Sequence, residues 1–526
     1  MKKILQSFVV LLVLAQGTLA HVGSPNVFFE GRAGAYSVFA VIRPPAALPG
    51  AAQVSVRVEG ADVGAVSLRP VLWPAGRQGA PLAVAAQRVP GEKNLWSAEV
   101  WFLWPGSYSV QVNVEGARGA GEATVPVNAI GMQNQQMSAG LRAALPVLGL
   151  ILVVTAVFIV GAVAREGCLE SGAQPAALRK SPARWATGIA VLLLAAGVAT
   201  GAIRWRNMDL AYRAGLQKPE PVAVTVRTEV DRVILELRQA EQSASRPSWG
   251  TLVPDHGKLM HLFLVREPAL DVFAHLHPVR TDARTFALDV PAVPAGGYQL
   301  YGDITFESGI SQTLIAQVKL PEPVGAPLPL PPLVTNLARE VICGFASVSG
   351  TNAGQVTRDM DDSWHVGLPG FANRLTVKYP RGCLVSRLMG GHTLLFENAD
   401  AVLGGRETSL RFAAFAPDGS EARLQPYMGM FGHAAVRRSD GSVFAHLHPL
   451  GSFSMAAQEV FRQRENAVGS GDQPSAITAA REISSSNRVS FPYQFPKPGE
   501  YRLWIQVRLA GRVLTGVYDL EIEPGT

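Results

Sequence analysis

Short stretches in which apolar and polar residues alternate recur along most of the chain, with turn residues between them. Residues 53–58 read QVSVRV and residues 96–102 read WSAEVWF. Alternation with a period of two is typical of strands that bury one face. We therefore expect a mainly β protein with three immunoglobulin-like β-sandwich domains, at 21–135, 221–320 and 334–526.

A glycine turn, then a tyrosine and an alternating strand, closes each of these domains. The tyrosines are Tyr108, Tyr298 and Tyr501, and a glycine stands two residues before each of them. A late strand of an immunoglobulin-like sandwich often begins in this way. Three copies, each near the end of its domain, support the sandwich prediction. A proline-rich stretch at 321–333 predicts a stiff linker between the last two domains.

Two uncharged apolar stretches, at 143–164 and 185–203, are long enough to cross a bilayer as helices. The loop between them, 165–184, carries basic residues that suit the cytoplasmic side of a membrane. Residues 1–20 have two lysines, a short apolar core and a small-residue cleavage site, as in a secretory signal peptide. We therefore expect a transmembrane hairpin in the bacterial inner (plasma) membrane, with all three domains on the periplasmic side.

Composition and motifs narrow the classes of function that this protein could have. Charged residues make up only 17% of the chain, a low fraction that suits a protein with membrane segments. The net charge of +6 is spread along the chain with no block of lysine and arginine, so no nucleic-acid partner is expected. The chain has no nucleophile elbow, metalloprotease motif, P-loop or dinucleotide fingerprint, and we predict that it is not an enzyme. The acidic residues at 359–362 are interpreted as a solvated turn. Cys343 and Cys383 either form a disulfide or remain thiols.

The hexapeptide FAHLHP occurs twice, at 273–278 and 444–449, and a third histidine precedes it at nearly equal spacing in both copies. Such repetition indicates a duplicated structural unit. Beyond the hexapeptide the copies differ, because only the second continues into a polar stretch, at about 462–487, which we expect to be an exposed loop. We refer to two histidine modules, the first being His261, His275 and His277 and the second His433, His446 and His448.

Histidines at positions i and i+2 of a strand point to the same face, so they can bind one metal together. Each module therefore predicts a three-nitrogen site of its own, with His256 as a further ligand near the first. Met428 and Met430 lie just before the second module and predict a soft axial ligand of the kind that copper(I) prefers. Imidazole also suits zinc, so zinc is not excluded. His21 would become the N-terminal residue after signal cleavage and is another candidate ligand.

A second interpretation needs no metal. An HxH pair followed by proline also suits a packed structural corner, and methionine often fills gaps in apolar cores. The repetition of the leading histidine favours the metal site over this alternative.

Two groups of residues carry a resemblance to known proteins. The first domain, with WPGSY at 104–108 and the adjacent apolar span, resembles the FixH/YtkA-like group of bacterial membrane-anchored proteins. The FAHLHP segments resemble those of exported bacterial proteins associated with copper or heavy-metal handling, most specifically where YMGMFGH at 427–433 precedes the second copy. The resemblance implies metal handling in the cell envelope and names no reaction. The first module lacks the Met-Gly-Met element, which weakens the case for copper(I) there.

The sequence therefore predicts a membrane-anchored exported protein that binds a transition metal, with copper preferred. Its expected role is to sequester the metal or deliver it to a partner, either a metal exporter or an oxidase under assembly. The alternative is a structural or protein-interaction module of a cell-envelope complex, in which the FAHLHP segments only shape loops.

Overall fold

The computed structural model describes residues 21–22, 26–60, 62–131, 137–167, 169–170, 172–174, 180–215, 222–230, 232–240, 247–323, 342–345, 359–367, 377–378, 383–467 and 487–525. The predicted signal peptide and most of the predicted linker lie outside these ranges. The described residues are mainly β and form six sheets. The chain divides into two compact units, one made of 1–129 and 219–526 and the other of 130–218. In the first unit the six sheets face one another in three pairs, each around its own apolar core.

The first sheet pair follows the alternating pattern at 53–58, where Val54, Val56 and Val58 face inward and are buried. Its two sheets have the strand orders β2-β3-β4-β8-β7 and β10-β9-β5-β6. The strands of this part of the chain are β1 (His21–Val22), β2 (Val27–Ala33), β3 (Tyr36–Arg43), β4 (Gly50–Val58), β5 (Val63–Leu72), β6 (Val84–Ala85), β7 (Gln87–Arg88), β8 (Leu95–Phe102), β9 (Gly106–Gly116) and β10 (Gly119–Ala129).

The second sheet pair is larger than the predicted second domain. Its strands are β11 (Val222–Thr228), β12 (Val233–Gln239), β13 (His261–Glu267), β14 (Val272–Leu276), β15 (Val279–Asp282), β16 (Thr285–Val290), β17 (Gly296–Thr305), β18 (Ser311–Leu320), β19 (Ile342–Phe345) and β20 (Ser363–Val366). The sheet orders are β11-β12-β16-β15 and β18-β17-β13-β14-β20-β19. The boundary expected at residue 334 therefore does not separate the sheets, because β20 pairs with β14 and places Ser363 opposite His275.

The third sheet pair contains strands from both ends of the chain. Its later strands are β21 (Val377–Lys378), β22 (Leu384–Arg387), β23 (Thr393–Phe396), β24 (Glu407–Phe415), β25 (His433–Arg438), β26 (Val443–Leu447), β27 (Arg488–Gln494), β28 (Gly499–Leu509) and β29 (Arg512–Ile522). One sheet has the order β21-β22-β23-β24-β27. The other has the order β1-β26-β25-β28-β29, in which β1 pairs parallel to β26 with His21 opposite Val443.

The tyrosine that begins the late strand of each sheet pair has the same contact. Its hydroxyl hydrogen bonds to the carbonyl four residues earlier, at 3.1 Å for Tyr108, 2.5 Å for Tyr298 and 2.7 Å for Tyr501. This bond ties the strand to the turn before it, and the same device is found at the tyrosine corner of immunoglobulin domains. The repeated sequence pattern therefore has one physical cause in all three places.

Three helices complete the described fold. The compact unit of residues 130–218 contains α1 (Ala139–Glu166) and α2 (Lys180–Gly215), which are long and apolar enough to cross a membrane. The third helix, α3 (Met455–Ala467), extends into the region where the polar loop was expected. That expectation is wrong for 462–467, because Glu465 accepts a hydrogen bond from Gln111 of the first sheet pair at 2.8 Å. Residues 468–486 lie outside the described ranges.

Candidate metal centre

The two histidine modules occupy equivalent places in two sheets that pack face to face. The first begins at His261 on β13, which lies between β14 and β17. The second begins at His433 on β25, which lies between β26 and β28. Aromatic and aliphatic side chains from both sheets form one buried cluster between them. The duplicated sequence is therefore a duplicated structure whose two copies face each other.

The phenylalanine of each hexapeptide packs on the other module's sheet. Phe273 stacks on Trp504 of β28 with ring centroids 4.8 Å apart. Phe444 stacks on Tyr301 of β17 at 3.8 Å. Such reciprocal contacts are typical of two-fold related interfaces, where each surface meets its own counterpart. The phenylalanine repeats in the sequence because it makes this contact in both directions.

Seven of the ten histidines meet at this interface. They are the six module histidines and His256, and neighbouring ring centroids lie between 4.4 and 6.0 Å apart. Their side chains are almost fully buried, with His275 0% and His433 1% exposed. The structure therefore brings together two predicted sites, one for each domain, in one enclosed group that we refer to as the histidine centre.

A reciprocal pair of hydrogen bonds orients one ring of each module. Asp303 on β17 and Gln506 on β28 hold equivalent positions, each directly opposite the leading histidine of its own sheet. His446 Nδ1 lies 3.1 Å from Asp303 Oδ2. His275 Nδ1 lies 2.9 Å from Gln506 Oε1. Each sheet therefore supplies the group that holds a histidine of the other.

An acidic residue also holds His277. Its ring Nδ1 and its backbone N–H both lie within 3.0 Å of Asp362 Oδ1. Burial raises the pKa of Asp362 to about 7. The interpretation of this region as a solvated turn is wrong for Asp362, which is 3% exposed, while Asp359 and Asp361 pair with Lys258 at 2.5 and 3.1 Å.

Backbone carbonyls hold two more rings. His261 Nε2 lies 3.0 Å from the carbonyl oxygen of Asp255, and His448 Nδ1 lies 3.3 Å from that of Phe453. The carboxylate of Asp255 accepts a hydrogen bond from Ser454 at 2.9 Å, at the start of α3. A metal-binding histidine almost always donates its second ring N–H to a carbonyl or carboxylate of this kind.

His256 reaches the centre from a tight turn. His256 and Gly257 both have positive φ angles, 52° and 83°, in a two-residue turn closed by paired hydrogen bonds between Asp255 and Lys258. Turns of this kind favour asparagine or glycine, so a histidine here is the costlier choice. Met428 and Gly429 form the equivalent turn before the second module, with φ angles of 49° and 80°.

The nitrogens on the inner side of the centre are mostly without hydrogen bonds. Only one bond joins two rings within the described set, between His261 Nδ1 and His275 Nε2 at 3.1 Å. Buried polar atoms without partners are rare, because each costs about 1–3 kcal/mol when left unpaired. Within the histidine centre, the buried ring nitrogens that have no hydrogen-bond partner among the described residues are Nδ1 and Nε2 of His256, Nε2 of His277, Nδ1 and Nε2 of His433, Nε2 of His446 and Nε2 of His448.

Two groups of three histidines have nitrogens close enough to share an ion. One is His261, His275 and His277, the first module itself. The other is His256, His433 and His448, which takes one ligand from the second sheet pair and two from the third. Within each group the nitrogens lie within 4.8 Å of one another. Bonds of about 2.0–2.1 Å from a central ion place two nitrogens up to about 4 Å apart, so a small inward movement completes either site.

The rings are already in the protonation state that a metal needs. Burial, the largest cause, and the neighbouring rings lower the pKa of every histidine in the two groups. All six are therefore neutral at neutral pH, and a neutral imidazole is the form that ligates.

The remaining candidate ligands lie elsewhere or have other contacts. Met430 packs with Leu450 and Phe453 in the apolar core of the first sheet pair, and Met428 packs against Tyr427. Burial of both methionines is explained by this packing, and a thioether ligand stays a prediction. The side chain of His21 lies outside the described residues. The orienting residues were missed from the sequence, since an isolated aspartate or glutamine carries no local signal of this role.

Comparisons with known proteins describe only part of this chain. The sequence profile of a domain of unknown function, DUF8832, matches residues 390–524, which include the second module. No curated protein matches the chain. The FixH/YtkA-like resemblance therefore stays a prediction.

Solved structures give only distant similarities. An engineered protein is 22% identical over 17% of this chain and 19% of its own, with a TM-score of 0.13. Dimeric latent PorU from Porphyromonas gingivalis is 8% identical over 91% of this chain and 32% of its own, with a TM-score of 0.13. Salmonella alpha-2-macroglobulin reacted with methylamine is 11% identical over 96% and 24%, with a TM-score of 0.19. The chain thus spans less than a third of the length of each of these three proteins.

Proposed function

We propose that this protein binds transition-metal ions, copper in preference to zinc, in the histidine centre. The observation that carries the proposal is the orientation of the rings. Five of the six module histidines have their outer nitrogen held by a hydrogen bond to a carboxylate, amide or carbonyl group. Most nitrogens on the inner side have none. This is the pattern that metal-binding histidines adopt, and an ion would satisfy several buried nitrogens at once.

The burial of the centre favours retention of metal over rapid delivery. A carrier needs ligands that a partner protein can reach, whereas these rings are almost fully enclosed. Release of an ion from such a site requires the two sheets to separate or the turn at His256 to open. Of the two roles expected from the sequence, sequestration is therefore the one we propose.

The proposed location is the bacterial inner membrane, with the histidine centre on the periplasmic side. Two helices that are apolar enough to span a bilayer and the sequence of residues 1–20 support it. The tyrosine contacts repeated in all three sheet pairs support immunoglobulin-like sandwiches.

The alternative, a structural or protein-interaction module, has one observation in its favour. Stacked aromatic rings, together with the hydrogen bonds of His446 to Asp303 and of His275 to Gln506, hold the two sheets together without any ion. Under this alternative the protein retains no metal when folded. An enzyme is not proposed, because Asp303 and Asp362 are both occupied in orienting histidine rings.

Metal titration of the full-length protein in detergent tests the proposal. The protein is stripped with a chelator and titrated with copper(I), copper(II) and zinc(II) against chromogenic competitors. We expect copper to bind most tightly, and the double variant His433→Gln/His448→Gln to lose most of that binding. His392→Gln is the matched control, because His392 belongs to neither group of ligands. Folded wild-type protein that binds no metal would leave the interaction module as the better explanation.

A further inference from the structure

The proposed function requires only that some metal binds in the centre. Resting on that function, we infer that the centre holds two ions side by side, one in each group of three histidines. His261, His275 and His277 bind one ion, and His256, His433 and His448 bind the other. The two groups share no residue, so both can be filled in the same molecule.

The two ions would be near neighbours. The ring of His275 lies 5.9 Å from that of His433, and His256 lies 6.0 Å from His261, so contacts between the groups are nearly as short as those within them. Two-metal sites in proteins commonly hold their ions about 3.5–4 Å apart. The ring spacing is therefore that of a closely spaced pair rather than two independent sites.

His446 stands between the two groups. Its ring lies 4.4 Å from His448 in one group and 5.6 Å from His261 in the other. Its Nδ1 is held by Asp303, and its buried Nε2 has no hydrogen-bond partner among the described residues. It is therefore an oriented ligand available to either ion. Seven imidazoles for two ions give three or four nitrogens to each, which is the coordination that copper and zinc accept.

The ion held by His256 would join the two sheet pairs. His256 comes from the second pair, whereas His433 and His448 come from the third. A bond from one ion to all three adds a direct link between elements that otherwise meet through packing and hydrogen bonds. Because the ion binds the docked arrangement and not separated sheets, metal is expected to stabilise the docked state. The ion in the first module has ligands from one sheet only and has no such role.

Two variants separate the ions. His256→Gly keeps the turn, since glycine adopts positive φ readily, but removes a ligand of the joining ion only. His277→Asn removes Nε2 and keeps a side-chain N–H for Asp362, and it affects only the first-module ion. His392→Asn is the control. Both variants are made in the His446→Gln background, so that His446 cannot replace the lost ligand. Each should bind one copper(II) fewer per chain than His446→Gln alone, and only His256→Gly should lose the additional metal-induced rise in thermal stability.

The experiment is copper analysis and electron paramagnetic resonance of full-length protein loaded with copper(II) in detergent. We expect two copper ions per chain, a spin signal well below the copper content because the ions couple, and a full mononuclear signal from either variant. One ion per chain in the wild type would overturn this inference and leave the proposed function standing. Two ions with full, uncoupled signals would overturn the close pair. A folded protein that binds none would overturn both proposals.

Discussion

The two histidine modules lie on equivalent strands with nearly equal spacing, yet they differ in how their nitrogens are satisfied. In the first module, both nitrogens of His261 and both of His275 have hydrogen-bond partners. In the second, His433 has none for either nitrogen among the described residues. In the first module only Nε2 of His277 lacks a hydrogen-bond partner among the described residues, whereas four nitrogens of the second module lack one. The duplicated sequence has therefore produced one module that is nearly satisfied by the protein itself and one that is left open.

The two modules also differ in one of the residues that orient their rings. The position opposite the leading histidine is Asp303 in one sheet and Gln506 in the other. A carboxylate partner makes an imidazole a better donor to a metal than an amide does. Because each group reaches across the interface, Asp303 acts on His446 of the second module and Gln506 on His275 of the first. Of this reciprocal pair, the stronger partner therefore orients a ring of the open module, whereas the first module has its carboxylate partner, Asp362, at His277.

The largest loss of stability and of metal binding is expected when an aromatic contact between the sheets of the two modules is removed. Phe444→Ala removes the stack on Tyr301, and truncation of a buried phenylalanine costs about 3–5 kcal/mol. Metal binding should fall with it, because the centre needs both sheets. Thermal unfolding and copper content measure the two effects.

Phe396→Ala is the matched control for that variant, since Phe396 is equally buried but lies in the core of the third sheet pair. It should destabilise the protein by a similar amount and leave the copper content of folded protein unchanged. If Phe444→Ala also keeps full copper content, the two modules do not depend on each other.

The next largest effect, on copper(II) affinity, should distinguish the two residues that orient histidine rings across the interface, Asp303 and Gln506. Asp303→Ala should weaken copper(II) binding about 10–100-fold, which is the usual loss when the outer partner of a ligating histidine is removed. Gln506→Ala should weaken it less, because a neutral amide raises the basicity of the ring that it holds less than a carboxylate does. Competition titrations of both variants provide the measurement. Equal losses would mean that the carboxylate has no special role.

A smaller effect should appear in the folding stability of the metal-free protein when the pH is lowered. His365 lies on β20 beside the first module, and burial together with the charge of Arg502, itself paired with Asp519, lowers its pKa from 6.5 to about 3. The unfolded chain binds a proton below pH 6.5 while the folded protein does not, so stability falls as the pH falls from 6.5 toward 3. The loss from this one group is up to about 1.4 kcal/mol per pH unit.

Denaturant unfolding of wild type and His365→Gln between about pH 7 and about pH 4.5, a range that spans the ordinary titration of histidine, isolates this contribution. The variant should lose stability less steeply than wild type as the pH falls. Parallel curves would show that His365 is protonated in the folded protein or exposed to solvent.

The smallest effect, on copper(I) affinity, is expected from a substitution in the turn that precedes the second module. His256 and Met428 hold equivalent turn positions, so one turn offers imidazole and the other a thioether. If the thioether ligates, Met428→Leu should weaken copper(I) binding by less than about tenfold and leave zinc binding unchanged, because thioethers select copper(I). Met430→Leu serves as the control. Equal copper(I) affinities in both variants and wild type would restrict Met428 to packing.

Much of the fold could be predicted from local patterns. Alternation of apolar residues predicted strands such as β4, and the apolar stretches predicted the regions of α1 and α2. The domain boundary near residue 334 was wrong, because β19 and β20 continue a sheet that began before the linker. Pairing between strands far apart in the chain has no signal in either strand alone. For the same reason, the parallel pairing of β1 with β26 could not be foreseen.

The amino-acid sequence alone was enough to identify the side chains that could bind metal: six histidines in two repeated modules, and His256 beside them. Spacing of two along a strand makes a pair share a face, and this property is local. Tertiary packing was needed to unite the two modules in one centre, to add His256 to the ligands of the more distant module, and to orient the rings with Asp303, Gln506 and Asp362. These contacts arise when two sheets bury their apolar faces against each other. The energy that brings the histidines together therefore comes from neighbouring phenylalanine, tyrosine and tryptophan rings.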